Sequence, residues 1–133
     1  MDNTLQTGLQ ESLRIQLTEL NNRSRWYSSQ LWQIPFAFIS LVGLLIGNIA
    51  TKFPDLLHFT FLTVGLFGIL VLIHMNGIMN GERRAVENLK KIEAALQIPQ
   101  TVEYKPTYVR PLYLLVWLST VTSIITGAYS IYY

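Results

Sequence analysis

Cysteine is absent from the 133 residues, which excludes disulfides and thiolate metal sites. Histidine occurs only as His58 and His74, too far apart in sequence to form a ligand-spaced pair. Charge is scarce: 14% of the residues are Asp, Glu, Lys or Arg, where a soluble domain carries about 25%. The surface of such a chain cannot all face water. The net charge of +2 is too small to suggest a nucleic-acid partner. Proline is rare, with five in all and none between Asp55 and Ile98. An apolar leader at the start is not expected either, because the first 30 residues are polar and charged.

What is present is apolar and arranged in long runs. Arg25 and Lys52 bracket 26 uncharged residues, Asp55 and Glu82 bracket another 26, and Pro111 to Tyr133 adds 23. About 20 apolar residues suffice to cross ~30 Å of hydrocarbon as a helix. The expected fold is therefore all-α, one membrane domain over 1–133 with three transmembrane helices. The segments are a cytoplasmic amphipathic helix at 1–33, span one at 34–51, span two at 56–78, a cytoplasmic helix and connector at 79–111, and span three at 112–132. A soluble bundle would need polar outer faces, and the first two spans have none.

Orientation follows from the cations. Arg14, Arg23, Arg25, Arg83, Arg84, Lys90, Lys91, Lys105 and Arg110 lie before span one or between spans two and three, and Lys52 alone lies in the other loop. The positive-inside rule puts the N-terminus and the long loop in the cytoplasm and the C-terminus outside. Trp26, Tyr27, Trp32, Tyr108 and Tyr113 mark the inner interface, and Tyr129, Tyr132 and Tyr133 the outer one. The short turn from Thr51 to Asp55 makes spans one and two a tight hairpin.

Two amphipathic stretches share the cytoplasmic side. Leu5, Leu9, Leu13, Leu17 and Leu20 recur at helical spacing, and Pro35 stands where span one begins, either in a first helical turn or at a kink. Span two is expected to continue as one helix whose stripe is Ala85, Leu89, Ile92 and Leu96, with Glu82, Arg83, Arg84, Glu87, Lys90, Lys91 and Glu93 solvated around it. The two stripes can bury against each other, against neighbouring subunits, or on the lipid surface. Residues 99–111, with Pro99, Pro106 and Pro111, read as an extended connector.

Within the membrane, Gly43 and Gly47 form a GxxxG pair in span one, and Gly65, Gly68, Gly77 and Gly81 follow in span two. Glycines at this spacing let helices approach closely, within one subunit or between subunits. In span three, Ser119, Thr122, Ser123, Thr126 and Ser130 share a face, with Gly127 beside them. These hydroxyls either bond back to their own helix and permit tight packing, or they line a weakly selective pore shared by several subunits. His74, Asn76, Asn80 and Asn48 lie near span ends, where they reach the interface.

Several functions are not expected. No acid or base lies inside a span, which argues against a proton-coupled carrier. No serine, histidine and acid constellation and no metal-ligand spacing occurs, so neither enzyme nor cofactor is implied. Three spans are too few to enclose a pathway, so a conducting form must be a homo-oligomer.

Two stretches carry a family resemblance: Arg25-Trp26-Tyr27 with Leu31-Trp32-Gln33-Ile34-Pro35 leading into span one, and span two running into Arg83, Leu89, Ile92 and Glu93. Over about residues 20–98 the chain resembles small bacterial SLATT-like, defence-associated membrane proteins; its third span is an addition to their two-span pattern. The resemblance implies a homo-oligomeric inner-membrane assembly, activated by a partner or signal, that forms pores and depolarises an infected cell. The alternative is a non-conducting accessory or scaffold protein. It would recruit a cytoplasmic protein through Arg83, Arg84, Glu87, Lys90 and Lys91.

Overall fold

The computed structural model of the chain describes residues 2–99 and 110–132. Among these it is all-helical: α1 (Asp2–Lys52), a 3-10 turn (Pro54–Leu56), α2 (Leu57–Ala95) and α3 (Pro111–Tyr132). All three α-helices include a stretch long and apolar enough to cross a membrane. Only 11%, 28% and 22% of the three most apolar windows is buried. Leu44, Leu66, Ile73 and Ile125 each expose more than 60% of their surface. Water would penalise such exposure at about 25 cal/mol per Å², whereas lipid does not.

α1 is one helix of 51 residues. The expected boundary at 33/34 falls inside it, and Pro35 stands in the helix interior rather than in a first turn. A proline there forfeits one backbone hydrogen bond, at about 3 kcal/mol in water. Helices near or within a membrane tolerate this, because ending the helix would leave several groups unbonded instead of one. Pro35 is also fully buried.

The short link between α1 and α2 is held by its own backbone. Phe53 N–H donates to the Ile49 carbonyl at 2.8 Å, and Leu56 N–H to the Phe53 carbonyl at 3.0 Å. Pro54 starts the 3-10 turn, where its missing N–H costs nothing. α2 then runs 39 residues, ~58 Å at 1.5 Å per residue, as the proline-free stretch predicts. At its end Ile98 N–H reaches the Glu93 carbonyl at 3.0 Å and Gln97 N–H the Ala94 carbonyl at 3.2 Å. This pair of bonds is a Schellman cap, with Pro99 following. Gln97 occupies its left-handed position at φ 55°, where glycine is the unstrained residue. Gln97→Gly should therefore stabilise the end of α2 by about 1 kcal/mol, read as slower amide exchange over 93–98. α3 opens on Pro111 at its first position, and its 22 residues span ~33 Å, close to the hydrocarbon thickness. Of the connector 99–111, residues 100–109 lie outside the described residues, and with them Lys105, Pro106 and Tyr108.

The chain forms two compact units, Met1–Gln30 with Ile78–Tyr108 and Leu31–Gly77 with Val109–Tyr133. In the second unit α1 and α2 are antiparallel across their short link, with the Phe38 and Phe67 rings 6.1 Å apart. Its buried side chains include Leu31, Phe38, Val64, Met75 and Val116. In the first unit the start of α1 pairs with the end of α2. Its buried face is Ile78, Ala85, Val86 and Leu89, together with Glu82 and Glu93.

Candidate functional site

The first unit corrects the expected charge pattern. Glu82 and Glu93 are 5% and 1% exposed, not solvated. Residues 82, 85, 86, 89 and 93 follow i, i+3, i+4, i+7 and i+11, so both carboxylates share the buried helix face. The real stripe is rotated by roughly half of a residue's 100° step from the expected Ala85, Leu89, Ile92, Leu96 line. Ile92 and Leu96 are left half-buried, and Val86, 2% exposed, is added. Burying a carboxylate is costly unless it is bonded. The Ser28 hydroxyl of α1 supplies a bond to Glu82 Oε1 at 2.7 Å. One residue earlier, the Tyr27 ring lies across Gly81 so closely that a Cβ there would meet the ring at 2.8 Å. Further along, Gln16, Glu19, Leu20 and Arg23 face Asn88, Lys91 and Ile92 across a groove of 390 Å³. Arg23 is paired with Glu19. The α1 stripe is only partly covered: Leu13, Leu17 and Leu20 are half-buried, and Leu9 is 63% exposed. Of the partner-contact candidates, Arg83, Arg84, Glu87 and Lys91 are exposed and Lys90 is half-buried.

In the second unit a glycine-and-hydroxyl seam joins α2 to α3. A Cβ at Gly68 would stand 2.2 Å from Thr120 Oγ1, and one at Gly65 would stand 2.4 Å from Ile124 Cγ1. One at Gly127 would stand 2.8 Å from Leu62 Cγ. The α3 face that enters this seam is Val116, Thr120, Ser123 and Gly127, all buried. Thr120 donates its hydroxyl to the Val116 carbonyl at 2.7 Å, so that hydroxyl is not stranded in the seam. Of the expected packing glycines, Gly81 and Gly127 are in tight contact, whereas Gly43, Gly47 and Gly77 have nothing within 4 Å of a built Cβ. Among the described residues, then, nothing packs closely on the GxxxG pair of span one. Gly65 and Gly68, three apart, form the close contact instead.

The hydroxyl stripe of α3 divides across this seam. Ser123 is 5% exposed and belongs to the packing. Ser119 and Thr126 are half-buried, and Thr122 and Ser130 are exposed. Ser130 donates back to the Thr126 carbonyl at 2.9 Å and to the Gly127 carbonyl at 3.1 Å. Thr126 and Ser130 also line a cavity of 240 Å³ with Pro54, Leu57, His58 and Phe61. Sequence reasoning missed that cavity, and it missed Thr120. The available signal for Thr120 was the run Val116, Thr120, Ser123, Gly127, at i, i+4, i+7 and i+11. Asn48 is satisfied by its own helix, through the Leu44 carbonyl at 2.8 Å, and His74, Asn76 and Asn80 are exposed. Among the described residues no three His, Asp or Glu side chains group as metal ligands would. The chain matches no family model, no curated protein and no solved structure.

Proposed function

We propose that the chain is an oligomeric bacterial inner-membrane protein that breaches or conducts across the bilayer, as the effector of a defence-type system. In this reading its N-terminus and long loop are cytoplasmic and its C-terminus is outside. One observation carries it. After the seam has taken Thr120, Ser123 and Gly127, the flank Ser119, Thr122, Thr126 and Ser130 remains half-buried or exposed on a helix of membrane-crossing length. Three spans cannot enclose water alone, so several copies would turn this flank inward as a ring of hydroxyls. Such a ring hydrates ions without binding them strongly.

The seam makes the test sharper. Thr122 and Ser130 are exposed, so Thr122→Leu with Ser130→Leu should leave folding and insertion intact. Potassium flux from vesicles holding the purified double variant should fall about tenfold or more, as a hydroxyl ring becomes a dewetting apolar constriction. Unchanged flux would remove the hydroxyl flank from the pathway. A second reading rests on the exposed Arg83, Arg84, Glu87 and Lys91: a non-conducting scaffold that recruits a cytoplasmic protein. It expects no flux from the wild-type chain, and a co-purifying protein that is lost when Arg84 and Lys91 become Glu.

A further inference from the structure

We infer that the cavity between the start of α2 and the end of α3 binds an uncharged hydroxylated aromatic ring, of the phenol class. The inference is read by binding, so it stands or falls apart from the flux test of the hydroxyl flank.

The seam builds the cavity. Leu57 and Phe61 stand four apart on α2 with His58 beside them, and Thr126 and Ser130 stand four apart on α3, so each helix offers one face. Pro54 joins them from the 3-10 turn. The close contact of Gly127 with Leu62 lies immediately beside Thr126 and Phe61. It draws the helices together there, and the space opens from it toward the link at Phe53. At 240 Å³ the cavity exceeds the roughly 150 Å³ that holds a benzene ring in a protein interior. It has room for one six-membered ring with a short substituent.

Its chemistry selects the ring. Pro54, Leu57 and Phe61 give apolar walls, and Phe61 gives an aromatic partner. None of the described lining residues carries a fixed charge, so an ionic ligand would enter without a counter-charge. Ser130 directs its hydroxyl hydrogen at the Thr126 and Gly127 carbonyls, at 2.9 and 3.1 Å. Its oxygen therefore has only lone pairs to offer and accepts from a ligand. The Thr126 hydroxyl and the His58 ring can each donate or accept. A phenol suits this set: its O–H donates to Ser130, its oxygen accepts from Thr126 or His58, and its ring lies against Phe61.

The test uses the full chain in a neutral detergent at pH 7, with 4-propylphenol as the probe, uncharged there as the tyrosine phenol is. Diethyl pyrocarbonate carbethoxylates accessible histidines, and mass spectrometry reads each site. The chain has two, His58 in the cavity wall and the exposed His74 further along α2, which is the internal control. The probe should slow modification of His58 about tenfold at ten times its Kd, by occupancy, and leave His74 unchanged. Propylbenzene, which lacks the hydroxyl, should need about fivefold more for the same protection, the worth of one hydrogen bond. 1-Hexanol, which lacks the ring, should also need about fivefold more. Ser130→Ala should weaken protection by 4-propylphenol about fivefold and leave that by propylbenzene as it was, with helix content unchanged by circular dichroism. No protection of His58, equal protection of both histidines, equal potency of propylbenzene or 1-hexanol, or unchanged potency in Ser130→Ala would each overturn the site.

Discussion

Gly68→Leu should detach α3 from α2 and destabilise the second unit. A Cβ at position 68 would lie 2.2 Å from Thr120 Oγ1 and 3.0 Å from both Thr120 Cβ and Cγ2. Threonine is short and β-branched, and its hydroxyl is held by the Val116 carbonyl at 2.7 Å, so it cannot swing aside. The helices must separate, and the contacts at Gly65–Ile124 and Gly127–Leu62 are lost with them. Overpacking of this kind costs about 1–3 kcal/mol before such secondary losses. The measurement is denaturant unfolding of the detergent-solubilised chain, with proteolysis at the α3 end as a second reading. Gly68→Ala should show a smaller loss, partly restored by Thr120→Ala in a double-mutant cycle. Gly43→Ala and Gly47→Ala should be neutral or stabilising within the chain, because nothing stands within 4 Å and alanine favours a helix by about 1 kcal/mol over glycine. If those two variants instead shift the oligomeric state, the open pair is where copies meet. A Gly68→Leu chain that unfolds like the wild type would disprove the seam.

The contrast between these glycines explains what was legible in the sequence. Charge-free windows are a one-body signal, since a residue is charged or not whatever it touches. They give the three helices and the short link at Phe53, while the absence of proline between Asp55 and Ile98 gives the continuous α2. Which glycine is used is a two-body question. Gly43-Leu-Leu-Ile-Gly47 has the better motif and no close neighbour among the described residues, while Gly65 and Gly68 have the weaker spacing and meet Ile124 and Thr120. Nothing local to α2 announces that, because the complementary residues lie in α3. The acidic residues fail for the same reason. Glu82 reads as a solvated charge unless Ser28, 54 residues away, is known to face it. Pro35 shows the opposite limit: its local signal allows a first turn or a position inside the helix, and the helix continuous on both sides selects the second.

Leu89→Ala should open the helix pair of the first unit while leaving the membrane unit folded. Leu89 is 1% exposed and sits between Val86 at 2% and Glu93 at 1% on the buried face of α2. Truncating a buried leucine costs about 2–5 kcal/mol, through lost burial and the cavity left behind. Here the loss falls on a small unit with few large side chains, because Ala85 and the two carboxylates occupy much of the same face. Local opening, rather than global unfolding, is the expected response. Amide exchange along residues 82–93 should accelerate by about thirtyfold at the low end of that range, with exchange in α3 unchanged. Glu87→Ala, on the exposed side, should stay within about 0.5 kcal/mol of wild type. The result bears on function as well. In the scaffold reading, Arg83, Arg84 and Lys91 present a fixed charge pattern to a protein only while Leu89 holds α2 against α1. A Leu89→Ala chain with unaltered exchange would mean that α1 does not seal this face.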